Sequence, residues 1–528
     1  VTIRRRITAA RTPLLAEVSR ALRAACAQAF EPALAPEPVE RPEAMRRREF
    51  LKRSAQGAAT LSLGAPVLAS CTRGHPRVVV VGAGLAGLNA AYVLKKAGVT
   101  ATVYDASERV GGRILTARDA VGAGFHAELG GEFINANHAD MLGLAKELGL
   151  EVLDRTTPSL ANLRTAYFFG GQHYSEAQVI EAFKPLAERI AADVKEVGRD
   201  INYEHASDAA KRLDALSLTA YLDSLGVRGW LRDLVQVAYV SEFGLDADQQ
   251  SALNLLTTLD AEGSVGPTAL YGDVDKRYVI KGGNEQITQA LARPLEAQLR
   301  LQHKFELVKP RGDGYTLMFR DGNGAANEVS ADVVILALPF TLLREATLDV
   351  PLSDAKRNAV EQLGYGSNAK LLVGFNQRVW RTTQHSGEMF TDEPVQTSWD
   401  HTLLQSGERA GMTFMLGGRH GVEVGHDKPE HQVNRLMVGL ERAFPGARDA
   451  RGEKIVRFHW PTHPYSKGST ACYAVGQWTS IAGAEAQPVG KIFFAGEHCS
   501  RGFQGSMNGA AETGRRAAQA VLTLLGKK

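Results

Sequence analysis

The sequence predicts an α/β fold, in which a parallel-sheet domain assembled from separated segments carries an α+β domain of helical lobe plus mixed sheet. Three observations predict it. Residues 77–81 form an apolar β-branched run, followed by the turn Gly82-Ala83-Gly84-Leu85-Ala86-Gly87 and by residues 88–96, whose apolar positions recur at helical spacing. Residues 333–338 form the continuous apolar run expected of a parallel strand buried on both faces. Residues 155–275 are charge-rich with a helical pattern, whereas residues 370–375, 413–416 and 456–460 alternate or run as strands.

With 528 residues, 44% hydrophobic and 23% charged, the chain can fill a sizeable core and is no disordered or fibrous protein. Its net charge of +3 is too small to attract nucleic acid. Cys26, Cys71, Cys472 and Cys499 form no C-x-x-C pair and no zinc spacing with the histidines, so no metal is expected.

Taken in order, residues 1–44 are expected to be an upstream extension, disordered or untranslated, with translation starting at Met45. Residues 45–74 read as a signal: Arg47-Arg48-Glu49-Phe50-Leu51 resembles the twin-arginine export motif and precedes a small-residue apolar stretch. Leu68-Ala69-Ser70-Cys71 resembles a lipobox, which would make Cys71 a lipid anchor. The expected partner is therefore the twin-arginine machinery, and the expected location is periplasmic or membrane-anchored.

Residues 75–155, 276–345 and 481–528 are assigned to the parallel-sheet domain, and 156–275 with 346–480 to the second. In the second, Ser217 can cap a helix, and Leu231, Leu234, Val235 and Ala238 share one apolar face. Residues 315–319 return to a strand pattern, and residues 505–525 read as a final helix.

The glycine turn carries the first chemistry. Gly82 permits the tight turn, Gly84 lets the backbone approach a pyrophosphate, and Gly87 packs helix on strand. Asp105 ends the second strand about 20 residues on, placed for a ribose hydroxyl. The unit is Rossmann-like. Its continuation through Gly111-Gly112-Arg113 adds a glycine pair and an arginine that a nicotinamide domain does not need.

Here the sequence resembles the flavin amine oxidases, which include monoamine and L-amino acid oxidases. The resemblance runs through Glu128-Leu129-Gly130-Gly131-Glu132-Phe133, Gly282-Gly283-Asn284, Ala337-Leu338-Pro339 and Ala495-Gly496-Glu497-His498. It implies a Rossmann-like FAD domain. Gly82, Gly84, Leu85, Ala86, Gly87, Asp105, Ala106, Gly112 and Arg113 would hold the adenosine and pyrophosphate. Gly130, Gly131, Glu132 and Phe133 would line the flavin face, with Phe305, Gly496 and Glu497 as further contacts. The final helix, opening at Gly505, Ser506 and Met507, would aim its N–H groups at the flavin. Lys370 matches the family's lysine near the flavin, where it would hold a water and assist dioxygen reduction. Trp460 and Tyr465 match aromatic residues beside the flavin.

The sequence departs from the family at several points. Ser469 stands where mammalian monoamine oxidases bond a cysteine to the flavin, so noncovalent FAD is expected; a shifted register would place Cys472 there. Thr470 and Ser506 replace two substrate-flanking aromatic residues, with Tyr473 and Phe503 as candidate substitutes in the substrate pocket. Glu132 and Phe133 stand where L-amino acid oxidases place an arginine for the carboxylate, leaving Arg501 as a candidate; Glu132 could instead attract a cationic substrate.

The resemblance implies an FAD-dependent amine oxidase. It would convert a primary amine, polyamine or amino acid to an imine and then a carbonyl, and reduce O2 to H2O2. The alternatives are an FAD-dependent dehydrogenase, desaturase or isomerase on a non-amine substrate, an L-amino acid oxidase, and a non-catalytic FAD-binding protein. The oligomeric state is left open, a homodimer included.

Overall fold

The computed structural model describes residues 21, 22, 24, 25, 76–198, 200–258 and 277–527. The twin-arginine motif and Cys71 lie outside them.

Val78–Val81 is wholly buried and pairs in parallel with Ala101–Tyr104 on one side and Val333–Leu336 on the other. Ile492–Phe494 and Leu299–Arg300 complete a five-stranded sheet drawn from distant parts of the chain. Alternation along each strand gives the sheet two apolar faces. Val78 and Val80 join a cluster with helix Leu85–Lys96 and the C-terminal helix Met507–Leu524, which pack on each other. Val79 and Val81 face the other way, onto Phe305, Leu317 and Phe319 of a four-stranded sheet in which His303–Arg311, Gly314–Asp321 and Ala326–Ala331 run antiparallel. The result is α/β and Rossmann-like.

The second sheet has seven strands, in the order Arg451–His459, Ala369–Phe375, Ala410–Leu416, Thr397–Asp400, His385–Thr391, Arg164–Phe169 and Gln172–Tyr174. Every residue of Ala369–Phe375 and Ala410–Leu416 is buried. Helix Pro429–Ala443 packs Leu436, Met437 and Leu440 against Leu371, Val373 and Phe414 of this sheet. Tyr167, Phe390 and Trp399 instead join the core of the helical lobe. In that lobe Ser217 caps helix Leu218–Ser224 by accepting from the Ala220 amide, and Leu231, Leu234, Val235 and Ala238 are buried on helix Gly229–Phe243.

The structure corrects the reading of residues 155–275 as a helical lobe alone. Arg164–Phe169 and Gln172–Tyr174 form a hairpin, and the first of them joins the seven-stranded sheet beside His385–Thr391. Gly170 and Gly171 turn it, with φ of +58° and +77°, the conformation of a two-residue hairpin loop. Within residues 1–44, Ala21, Leu22 and Ala25 are helical and buried in the lobe's core, so this short stretch is packed where disorder was expected. Among the described residues no helix is long and apolar enough to cross a membrane.

The glycine turn sets the tightest steric limit. A Cβ on Gly87 would lie 1.9 Å from the Gly82 carbonyl oxygen, and neither backbone can yield. Gly87→Ala is expected to cost about 3 kcal/mol of stability, read as a lowered midpoint in thermal unfolding.

Candidate active site

At the turn after Val78–Val81, Gly82 has φ of +107°, and Gly84 ends the turn as the residue before helix Leu85–Lys96. No side chain caps that helix, so its first N–H groups stay available to an anion. The second glycine loop closes over the first: Gly111 N–H donates to the Ala83 carbonyl at 2.9 Å, and Arg109 holds the loop through the Gly112 carbonyl at 2.6 Å. A Cβ on Gly84 would meet nothing nearer than Gly112 Cα at 4.0 Å, so the cradle has room for a phosphate. Asp105 accepts from the Ala83 and Ser107 amides at 2.6 and 2.8 Å. Burial pushes its carboxyl above the usual range, opposed by those two amides. Leu85 and Ala86 open the helix, and Ala106 follows Asp105 in its loop. Phe305 is buried between the two sheets of this domain.

A cavity with about 890 Å³ of space, part of it open to solvent, extends between the domains. Arg113, Gly130, Gly131, Ser469, Gly505 and Met507 line one part, and Phe133, Trp399, Met415 and Trp460 supply apolar wall. Arg113 donates from Nη1 to Glu497 and to the Ser469 carbonyl, each at 2.7 Å. Glu497 also accepts from the Gly505 amide at 2.8 Å, just ahead of the C-terminal helix. Gly130 and Gly131 form a wall without side chains: a Cβ on Gly130 would meet the Arg113 carbonyl at 1.9 Å, and one on Gly131 would meet Met507 Cγ at 2.7 Å. An anion cradle joined to a cavity whose floor is bare backbone fits a flavin dinucleotide.

Lys370, on the buried strand Ala369–Phe375, donates to the Glu128 carbonyl at 2.8 Å, the Gly130 carbonyl at 3.1 Å and Glu132 Oε2 at 3.0 Å. Glu132 Oε1 accepts from the Trp399 indole at 2.8 Å. Glu132 is thus neither a solvated loop carboxylate nor an open cation site, because Lys370 and Trp399 hold both of its oxygens. Asn284 fixes the loop beneath: its side chain donates to the Gly131 and Glu132 carbonyls at 3.0 and 2.6 Å, and its amide donates to Glu128 at 2.8 Å. Burial pushes the Glu128 carboxyl up to about 8, with help from the Glu132 charge and against the Asn284 amide.

Several expected residues fall elsewhere. Tyr465 is 42% exposed and does not line the cavity. The His463 and Gly468 amides both return to the Trp460 carbonyl, so the loop between bulges outward and carries Tyr465 into solvent. Trp460 is buried as expected, its indole donating to the Leu129 carbonyl at 2.9 Å. Tyr473 is also no pocket residue: its hydroxyl donates to buried Glu485 at 2.8 Å and its ring packs on Trp478. Phe503 stands one layer back, edge-on to His138, which does line the cavity. Thr470 and Ser506 line it, but the Ser506 hydroxyl is used in capping, accepting from Gly509 and donating to the Phe503 carbonyl. Arg501 pairs with Asp200 at 3.0 Å, away from the cavity lining. Ser469 lines the cavity, whereas Cys472 is buried in the lobe's core, which removes the shifted register. His498 is 1% exposed and packs at a tilt against the Phe340 ring; burial brings its imidazole down to about 3.

Asn135, His138, Glu242, Asn368, Trp399 and Met415 line the cavity without a sequence signal. Trp399 and Met415 lie on neighbouring strands of the second sheet, so only the register of that sheet brings them to Lys370. Among the described residues no cluster of three or more His, Cys, Asp or Glu side chains could hold a metal ion.

A glycine-cradled parallel sheet, opening into a cavity that a second sheet enters with a buried lysine, defines a flavin-dependent oxidoreductase. The chain belongs to the flavin containing amine oxidoreductase family, whose profile matches residues 85–522. It is an enzyme of the amine oxidase type, and FAD is its cofactor. It is 28% identical over 457 residues to a Mycobacterium tuberculosis protein named as a flavin-containing monoamine oxidase, AofH, covering 85% of this chain and 97% of that one. It is 24% identical over 454 residues to pseudooxynicotine dehydrogenase of Pseudomonas sp, covering 85% and 86%. Its fold is similar to cyclohexylamine oxidase from Brevibacterium oxydans IH-35A, with TM-score 0.75, 22% identity and coverage of 86% and 100%. Putrescine oxidase bound to putrescine gives 0.72, 23%, 85% and 99%.

Two outcomes follow from this geometry. Gly84→Ala has room for its methyl group and a compatible φ of −73°, so it should fold while retaining much less flavin, read as the ratio of flavin to protein absorbance. Glu128 has a folded pKa of about 8 against 4.5 unfolded, so its contribution is full below 4.5 and lost as pH rises through about 8. The melting temperature of Glu128→Gln is expected to fall less steeply than that of the native protein across this window.

Proposed function

We propose that the protein is an FAD-dependent oxidase of amines, converting a primary amine, polyamine or amino acid to its imine, which water hydrolyses to a carbonyl. The observation that carries this reading is Lys370, buried in the cavity wall beside the backbone floor of Gly130 and Gly131. Bound FAD would supply a two-electron acceptor for the C–H bond beside the nitrogen, with dioxygen as final acceptor and hydrogen peroxide as product. Arg113 and the first turn of Leu85–Lys96 would bind the pyrophosphate. The aromatic walls, Phe133, Trp399 and Trp460, exclude water and favour an amine with an apolar body. Among the described residues no cysteine lines the cavity, which supports noncovalent FAD.

An amino-acid substrate is the weaker choice. Arg113 already pairs with Glu497, and Arg155 is held by Glu388 at 2.9 Å while it covers the Phe133 ring. A dehydrogenase on a non-amine substrate is the second reading, favoured by the uncaged positions Thr470 and Ser506.

The test is the visible spectrum of the holoenzyme, recorded without oxygen against a panel of amines, polyamines and L-amino acids, then after admitting air. Bleaching by an amine and peroxide on aeration are the expected results, and a flavin unmoved by the panel would turn the reading to non-amine substrates. Lys370→Met should slow reoxidation by air by about a hundredfold or more, the scale of a positioned proton donor, and an unchanged rate would favour the dehydrogenase. We also infer export by the twin-arginine route, supported by Arg47, Arg48, Phe50 and Leu51. Replacing both arginines by lysine should leave the protein in the cytoplasmic fraction.

A further inference from the structure

The Lys370 ammonium has three N–H donors, and each is committed. Two go to the Glu128 and Gly130 carbonyls, in the loop that Asn284 pins. The third goes to Glu132, which brings the one charged acceptor of the set. Both side chains are buried, 6% exposed for Lys370 and 9% for Glu132, so their charges act in a poorly screened medium. Trp399 completes the arrangement by binding the other Glu132 oxygen.

The neighbouring groups do not take over this task. Burial, with the Glu132 charge beside it, pushes the Glu128 carboxyl up to about 8, which disfavours a second negative charge next to Lys370. His401 is neutral: burial, followed by the charge of Lys370, brings its imidazole down to about 3. His126 is lowered as well, by burial first and then by Arg118. The other arginines close to the cavity are paired, Arg113 with Glu497 and Arg155 with Glu388. The charge of Lys370 is therefore balanced by Glu132, or it is felt by whatever occupies the cavity.

We propose that Glu132 is a positioning residue that cancels the charge of Lys370, and in doing so sets the reduction potential of the bound flavin and the affinity of the cavity for anions. A net positive charge there favours any negative charge beside it, reduced flavin and anionic ligands alike. With Glu132 in place the pair is neutral, which suits an uncharged amine and disfavours a carboxylate. The two backbone carbonyls are fixed, so the Glu132 arm is the one that can release a Lys370 donor toward the cavity. The inference rests on the flavin site proposed above and does not depend on which substrate is oxidised.

The experiment uses the holoenzyme and two readouts that need no amine: titration with sulfite, an anionic probe that bleaches oxidised flavin, and the flavin midpoint potential. Glu132→Gln is expected to bind sulfite about tenfold more tightly and to raise the potential, a tenfold change being about 30 mV for a two-electron couple. Lys370→Met, which strands the Glu132 charge, should bind it about tenfold more weakly, by the same scale. The uncharged pair Lys370→Met with Glu132→Gln should return to the native value.

Breaking one side of a buried pair can unfold a protein, whereas replacing both sides is tolerated far better. The double variant is therefore read together with Glu132→Gln, which must differ from the native protein while the double variant does not. Sulfite affinity and potential matching the native protein support the compensation, and a double variant about tenfold weaker than the native protein overturns it. Equal sulfite affinity in Glu132→Gln and the native protein overturns it too. A native protein that retains no flavin would instead sink the reading of the site.

Discussion

The ion pair of Arg113 and Glu497 is the contact on which the site's assembly depends. One guanidinium nitrogen meets the carboxylate and the Ser469 carbonyl at the same distance, 2.7 Å. The carboxylate collects the Ala471 amide at 3.2 Å and the Gly505 amide at 2.8 Å. Four parts of the chain, the second glycine loop, the segment at 469–471, the Glu497 turn and the start of the last helix, meet there. Glu497 is 6% exposed at its side chain, so losing Arg113 would leave a buried charge, at a cost of about 3–5 kcal/mol. The pair thus specifies an arrangement that local propensity could not.

Around this junction the two domains divide the work. The parallel sheet contributes backbone: glycine turns, an uncapped helix end and the bare floor at Gly130 and Gly131. The seven-stranded sheet contributes side chains, and its register sets which ones. Lys370 stands opposite Met415 on one neighbour and Phe458 on the other, and Thr397 pairs with Met415 two residues from Trp399. A shift of one residue would turn Lys370 away from the loop it bonds. The sheet is buried on both faces, by helix Pro429–Ala443 and by the helical lobe, which resists such a shift.

What the sequence made legible was local. The strand, glycine turn and helix at 78–96 carry their chemistry in consecutive residues, and the charge of Lys370 stood out within an apolar strand. The hairpin at 164–174 was missed although Gly170-Gly171 marks its turn, because the surrounding charge and helical spacing dominated the reading. Trp399, Asn368 and Glu242 carry no local mark; tertiary pairing alone puts them in the cavity. Tyr465 and Tyr473 show the reverse error. Tyr465 matched by position and Tyr473 was a candidate substitute for a missing aromatic, yet a loop closed on the Trp460 carbonyl turns one outward, and Glu485 draws the other into the core.

The order in which the parts leave the ribosome adds a temporal constraint. The strand Ile492–Phe494, the Glu497 turn and the helix Met507–Leu524 follow the glycine cradle by about 400 residues in the chain, yet they complete the sheet, the ion pair and one wall of the cavity. A nascent chain that already displays the glycine cradle still lacks these elements. The cavity therefore closes around a junction of early and late segments, and neither half of the chain alone presents the whole of its lining.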